Sequence, residues 1–134
     1  MGFPYIDLVE KALKIIPDIR FATVSNMLGE VKSSQHRTNA KNLLTHRESI
    51  KSIESATRAW SVRNEFAAKI GKGEFAIAQY GKIARITIPM GKDHLLYMTT
   101  SKNADHSKIA KKASKLKLGR IRKPTKAQEK LFAP

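Results

Sequence analysis

The sequence predicts an α+β fold in which one antiparallel sheet is covered by helices. Three observations carry that expectation. Helix-period apolar stripes lie near both ends and in the middle of the chain, strand-like runs follow one another from residue 74 to residue 100, and short glycine- or proline-bearing turns join those runs. The expected order is α-β-β-α-β-β-β-α.

The first stripe is Tyr5, Leu8, Val9, Ala12, Leu13 and Ile16, the spacing of an amphipathic helix. Pro17 closes it, because proline disfavours helical geometry in the residue before it. Ile19 to Asn26 reads as a strand with Ile19 and Phe21 on one side. Met27-Leu28-Gly29-Glu30 is a turn, and Val31-Lys32-Ser33-Ser34 a weak returning strand, which together form a hairpin. The polar, basic stretch Ser34 to Asn42 is a loop or a lead-in to the next helix. Thr45-His46-Arg47-Glu48 matches a capping box. The long helix behind it uses Ile50, Ile53, Ala56, Ala59, Trp60, Phe66, Ala67 and Ile70 as its buried set. Gly71-Lys72-Gly73 closes that helix.

Glu74–Tyr80, Ile83–Pro89 and His94–Thr100 are the three strands. In the second, Ala84, Ile86 and Ile88 share one face while Ile83, Arg85 and Thr87 share the other. Tyr80-Gly81-Lys82 and Pro89-Met90-Gly91-Lys92-Asp93 are turns. A last helix starts near Asn103 or Asp105 and runs through Ile109, Ala110, Ala113 and Leu116, weakening by Gly119. The domain therefore spans residues 1–118, with a basic tail at 119–134.

With 134 residues and a hydrophobic fraction of 41%, the chain can bury a core without staples. The absence of cysteine excludes disulfide scaffolds, thiolate zinc sites and thiol catalysis. No apolar run reaches the roughly 18 residues that span a bilayer, and Asp7, Glu10 and Lys11 interrupt any signal-like stretch. The expectation is a cytoplasmic protein with no transmembrane segment.

Charge is unevenly spread. Residues 101–134 hold eleven Lys/Arg against two acids, +9 of the net +15. Lys108, Lys111, Lys112, Lys115, Lys117, Arg120, Arg122, Lys123 and Lys126 follow one another without an acid between them. If the last helix buries Ile109, Ala113 and Leu116, then Lys108, Lys111, Lys112 and Lys115 project outward. The remaining bases continue as an arm broken by Gly119 and Pro124. Such a face suits a phosphate backbone, and Arg37, Lys41 and Arg47 extend it if they fold nearby. No base-reading motif accompanies it, so those nine residues are the candidate contacts to nucleic acid or a ribonucleoprotein, bound with little sequence preference. An acidic membrane surface competes as the partner, although the tail lacks an inserting apolar face.

Catalytic signals are missing. His36, His46, His94 and His106 have no metal-ligand spacing. Asp105-His106 reads as a helix cap beside a histidine. Gly71-Lys72-Gly73 follows a helix and lacks the spacing of a phosphate loop. No serine stands in a nucleophile elbow. Trp60 and Phe66 belong to the apolar pattern of the central helix, hence to buried packing or a dimer interface ahead of base stacking. The expectation is a non-enzymatic protein with no cofactor and no metal.

Asp18-Ile19-Arg20-Phe21-Ala22 before Gly29, Arg63-Asn64-Glu65-Phe66, Asp93-His94-Leu95-Leu96-Tyr97 and Asp105-His106-Ser107-Lys108-Ile109 together resemble the roadblock/longin-type domain of the profilin-like folds. They are most similar to archaeal roadblock-like proteins of unassigned function. The resemblance covers residues 5 to 116 and leaves the tail outside. It implies a homodimer joined through sheets or central helices, with Ile53 and Trp60 as candidate interface residues. It also implies a second reading of function, as a regulator or scaffold of a Ras-like small GTPase or another protein assembly.

Overall fold

In a computed structural model, which describes residues 3–119, α1 (Phe3–Leu13) leads into β1 (Ile19–Asn26) and β2 (Val31–His36). The long helix α2 (His46–Glu65) and a single turn, α3 (Ala67–Ile70), follow. β3 (Ala76–Gln79), β4 (Ile83–Met90), β5 (His94–Ser101) and α4 (His106–Ala113) complete the chain. The five strands form one sheet of order β2-β1-β5-β4-β3, antiparallel at every pairing. The expected α+β architecture, with its order of helices and strands, is the one observed, with α3 added.

The alternation of β4 and β5 decides the layers. Ile86, Ile88, Leu96 and Met98 face α1 and α4, where they meet Leu8, Val9, Ala12, Ile109 and Ala113 in the main core. Each large apolar side chain there contributes roughly 1.5–3 kcal/mol by leaving water. Arg85, Thr87 and Tyr97 point the opposite way, beneath α2: the Trp60 Nε1–H donates to Thr87 Oγ1 at 2.8 Å, and Ser52 Oγ lies 2.6 Å from the Tyr97 hydroxyl.

Two expectations for the first hairpin change. Ile19 and Phe21 do not share a face, because the pairing with β5 is irregular between them. Ile19 enters the main core with Ala22 and Val24, whereas Phe21 turns toward the α2 side. β2 also runs on to His36, two residues past the expected end. The turn itself needs Gly29 at φ 86°, and the Asn26 side chain accepts from the Leu28 and Glu30 amides.

Just beyond β2, Arg37 reaches back to the chain after α1. Its Nε donates to the Ile19 carbonyl at 2.6 Å, and its Nη2 donates to the carbonyls of Leu13 and Ile16. Of these acceptors, Leu13 is the last residue of α1, where helix carbonyls lack partners within the helix. Thr45 and Glu48 form the expected capping box on α2. The Thr45 amide bonded to Glu48 is the main reason that carboxyl titrates below its usual value.

His94, at the start of β5, contacts α1 through its Nε2, 3.1 Å from the Tyr5 hydroxyl. Burial, opposed by Asp93 and reinforced by Lys32, holds its pKa below the ordinary 6.5. Between the folded value and 6.5 the unfolded chain therefore binds a proton that the folded chain does not, and stability rises with pH. Denaturation series are expected to show stability falling as pH drops through about 6.5, with a shallower fall in His94→Gln. Equal slopes for both proteins would remove His94 as the cause.

Candidate functional site

Two surfaces on opposite sides of the sheet carry the residues with functional potential. On the first, Asp105 caps α4 by accepting from the Lys108 amide at 3.1 Å. Ile109, Ala110 and Ala113 are fully buried, so Lys108, Lys111 and Lys112 project into solvent. Lys115 and Lys117 are exposed beyond the helix, while Leu116 and Leu118 pack against the main core. The helix ends at Ala113 and a turn replaces its expected last residues. The sideways division of the segment is nonetheless as expected. Arg120, Arg122, Lys123 and Lys126 lie outside the described residues.

The expected extension of this basic face does not form. Arg37 is engaged with the carbonyls after α1. Lys41 lines a cavity on the α2 side of the sheet, and Arg47 lies in the first turn of α2. Among the histidines, His106 opens α4 with a buried Nε2 that has no hydrogen-bond partner. Among the described residues, no group of three His, Asp or Glu side chains could hold a metal ion. No helix there is long and apolar enough to cross a membrane.

The second surface is the end of α2 together with β3. Ile53 and Trp60, the candidate dimer residues, are 6% and 1% exposed and press on the sheet of their own protomer. After Trp60 every residue of α2 is exposed, because the helix has run past the part of the sheet that covers it. At Phe66 the helix jogs, with its amide shared between the carbonyls of Arg63 and Asn64, before α3 resumes. Phe66 and Ile70, expected to be buried, are 49% and 83% exposed. Val62, Phe75, Ile77 and Tyr80 are also exposed large apolar residues on this stretch.

Among the described residues, β3 forms one edge of the sheet and pairs with β4 alone. It is four residues of Ala-Ile-Ala-Gln, without the lysine or proline that commonly blunts such an edge. A groove separates it from α2, lined by Arg58 and Ala59 on one side and Ala76 and Ala78 on the other. The return from α3 passes so close to Trp60 that a Cβ on Gly73 would lie 2.4 Å from the indole ring. An apolar helix end beside an unblunted strand edge has the character of a protein-binding surface.

Under the first half of α2 lies a polar cluster. Arg85 Nη1 donates to Ser52 Oγ at 2.8 Å, and its guanidinium lies over the rings of Tyr80 and Tyr97, 5.4 and 5.5 Å from their centroids. Burial raises the Tyr97 pKa, opposed by the Ser52 hydrogen bond and the Arg85 charge. The ion pairs among the described residues join Lys11 to Asp7 and Lys32 to Glu30, so Arg85 has no carboxylate there. The cluster can hold an acceptor, but it contains no base beside a nucleophile.

The fold has known counterparts. The chain is similar to the gliding protein MglB from Thermus thermophilus, with 17% identity, 86% of this chain and 88% of that one covered, and a TM-score of 0.68. It is similar to an MglB with a tetrameric arrangement, at 16% identity over 86% and 88% of the two chains, TM-score 0.69. A roadblock/LC7 domain from Streptomyces avermitilis matches at 14% identity over 80% and 86%, TM-score 0.63. No family model matches the chain, and no curated protein matches it in sequence. At these identities the likeness establishes the roadblock fold.

The exposed edge left a partial signal: Phe66 stands six residues after Trp60, about 120° around the helix from it, so helical spacing does not hold it on the buried stripe of Ile53, Thr57 and Trp60. Arg85 left a signal too: it is the one charged residue of the interior strand β4.

Proposed function

We propose that this roadblock-type chain is a homodimeric interaction module that regulates or scaffolds a Ras-like small GTPase. The observation that carries the reading is the exposed apolar end of α2 beside the open β3 edge, set on a fold shared with solved roadblock proteins. Two copies related by a twofold axis would pair β3 with β3 and cover Phe66 and Ile70 reciprocally. One similar MglB has a tetrameric arrangement, a precedent for self-association on this fold. The GTPase as partner follows from the resemblance to roadblock proteins.

The full-length chain, immobilised and exposed to nuclease-treated lysate of its source organism, is expected to retain a Ras-like GTPase identified by mass spectrometry. Recovery of ribosomal or nucleic-acid-bound proteins that disappears on nuclease treatment, with no GTPase, would overturn the reading.

The basic face of α4 favours a second reading, contact with nucleic acid or a ribonucleoprotein through Lys108, Lys111, Lys112, Lys115 and Lys117. Neutralising about five phosphates on duplex DNA gives a logarithmic salt slope of about −4.5. The combined change of Lys111, Lys112 and Lys115 to glutamine is expected to reduce that slope by about three fifths. Binding that ignores salt, or that the triple variant retains unaltered, would exclude this face.

A further inference from the structure

On the flank of α2 away from β3 is a cavity of about 240 Å³, a little below the roughly 300–1,000 Å³ of most ligand pockets. Phe21, Ile83 and Tyr97 of the sheet line it from one side, and Ile53 of α2 with Leu43 of the preceding connection from the other. Three cations, Arg20, Lys41 and Arg85, share this mainly apolar lining with no Asp or Glu. The Arg20 Nη2 donates to the Lys41 carbonyl at 3.1 Å, which ties those two basic residues together.

Arg85 is the residue whose bonding is incomplete. Its Nε is buried without a hydrogen-bond partner, and it has no carboxylate among the described residues. Guanidinium keeps its charge at any ordinary pH. The Tyr80 and Tyr97 rings offset part of that charge, but a ring face offers no strong acceptor to an N–H. A buried donor left without an acceptor is destabilising.

We infer that this cavity binds a small amphiphilic anion, an apolar chain ending in a carboxylate, with the acid held by Arg85. The carboxylate pairs with the Arg85 guanidinium, whose charge meets no acid among the described residues, and the chain fills the apolar volume between Ile53 and Phe21. The site is independent of the dimer and GTPase reading, because it lies on the other flank of α2 from β3.

The test follows methyl and amide NMR spectra of the full-length chain during titration with octanoate, octanol or acetate. Octanoate is expected to shift Ile53, Ile83 and Leu43 saturably and to bind about tenfold or more tightly than octanol, with acetate producing no such shift. Arg85→Gln is expected to reduce octanoate to the affinity of octanol. If that variant does not fold, the comparison of the three probes on the unaltered chain still decides. Equal affinity for octanoate and octanol would overturn the proposal, and would identify a pocket for a partner's apolar side chain instead. Shifts confined to Val62, Phe66 and Ile70, or none at all, would overturn it as well.

Discussion

Replacing Trp60 by alanine is expected to lower the stability of the chain by about 3–5 kcal/mol, a large part of the roughly 5–15 kcal/mol that folds a domain. Three losses coincide at that position. The indole is 1% exposed between α2 and the sheet, so its removal leaves a cavity. Thr87 Oγ1 loses the donor that reaches it at 2.8 Å. The chain at Gly73 loses the ring against which it turns toward β3.

Urea denaturation checks this as a fall in midpoint. A loss below about 1 kcal/mol, typical of a surface substitution, would mean that α2 is not anchored through Trp60. Gly73→Ala approaches the same contact from the other side. It forces its new methyl into the ring and is expected to destabilise by about 1–3 kcal/mol, as overpacking does.

Phe66→Lys combined with Ile70→Lys is expected to separate the proposed dimer while leaving each protomer folded. Both positions are exposed in the protomer, and surface substitutions usually change stability by only about 0.5 kcal/mol. In a twofold interface each change is made twice, and like charges meet across the axis. The dimer dissociation constant should rise by about a hundredfold or more, the effect of removing central apolar contacts. Light scattering over a dilution series gives the mass, and circular dichroism gives the fold. A dimer of unchanged affinity would move the interface away from the α2–β3 edge. Changes at Ile53 or Trp60 would confound this test, since both side chains are buried within the protomer and their loss destabilises its fold.

Much of the protomer was legible in the amino-acid order because short-range physics writes it there. Thr45 and Glu48 are three residues apart, as a capping box requires, and they form one. Ile86 and Ile88 alternate with Arg85 and Thr87, so the two faces of β4 could be told apart before either was covered. On α4, Ile109 and Ala113 stand four residues apart and carry the lysines outward between them.

Three features depended on distant neighbours. Ile19 and Phe21 alternate as a shared face would, but an irregular pairing with β5 sends them to opposite sides of the sheet. Arg37 looked like one more surface cation until the carbonyls of Ile16 and Ile19 were brought beside it. Phe66 and Ile70 stand about 120° and 80° around the helix from Trp60, and whether that side is covered depends on where the sheet ends beneath the helix.

By itself the sequence determined the strands, the caps, the main core and the basic side of α4. Each of these follows from residues a few positions apart, through backbone hydrogen bonding and side-chain periodicity. Tertiary structure alone decided that, among the described residues, α2 outruns its cover, β3 is left as an open edge, and Arg85 lies below α2 without an acid. Burial is a property of whatever packs from elsewhere in the chain. A helical stripe says which residues can be covered, and only the assembled fold says which of them are.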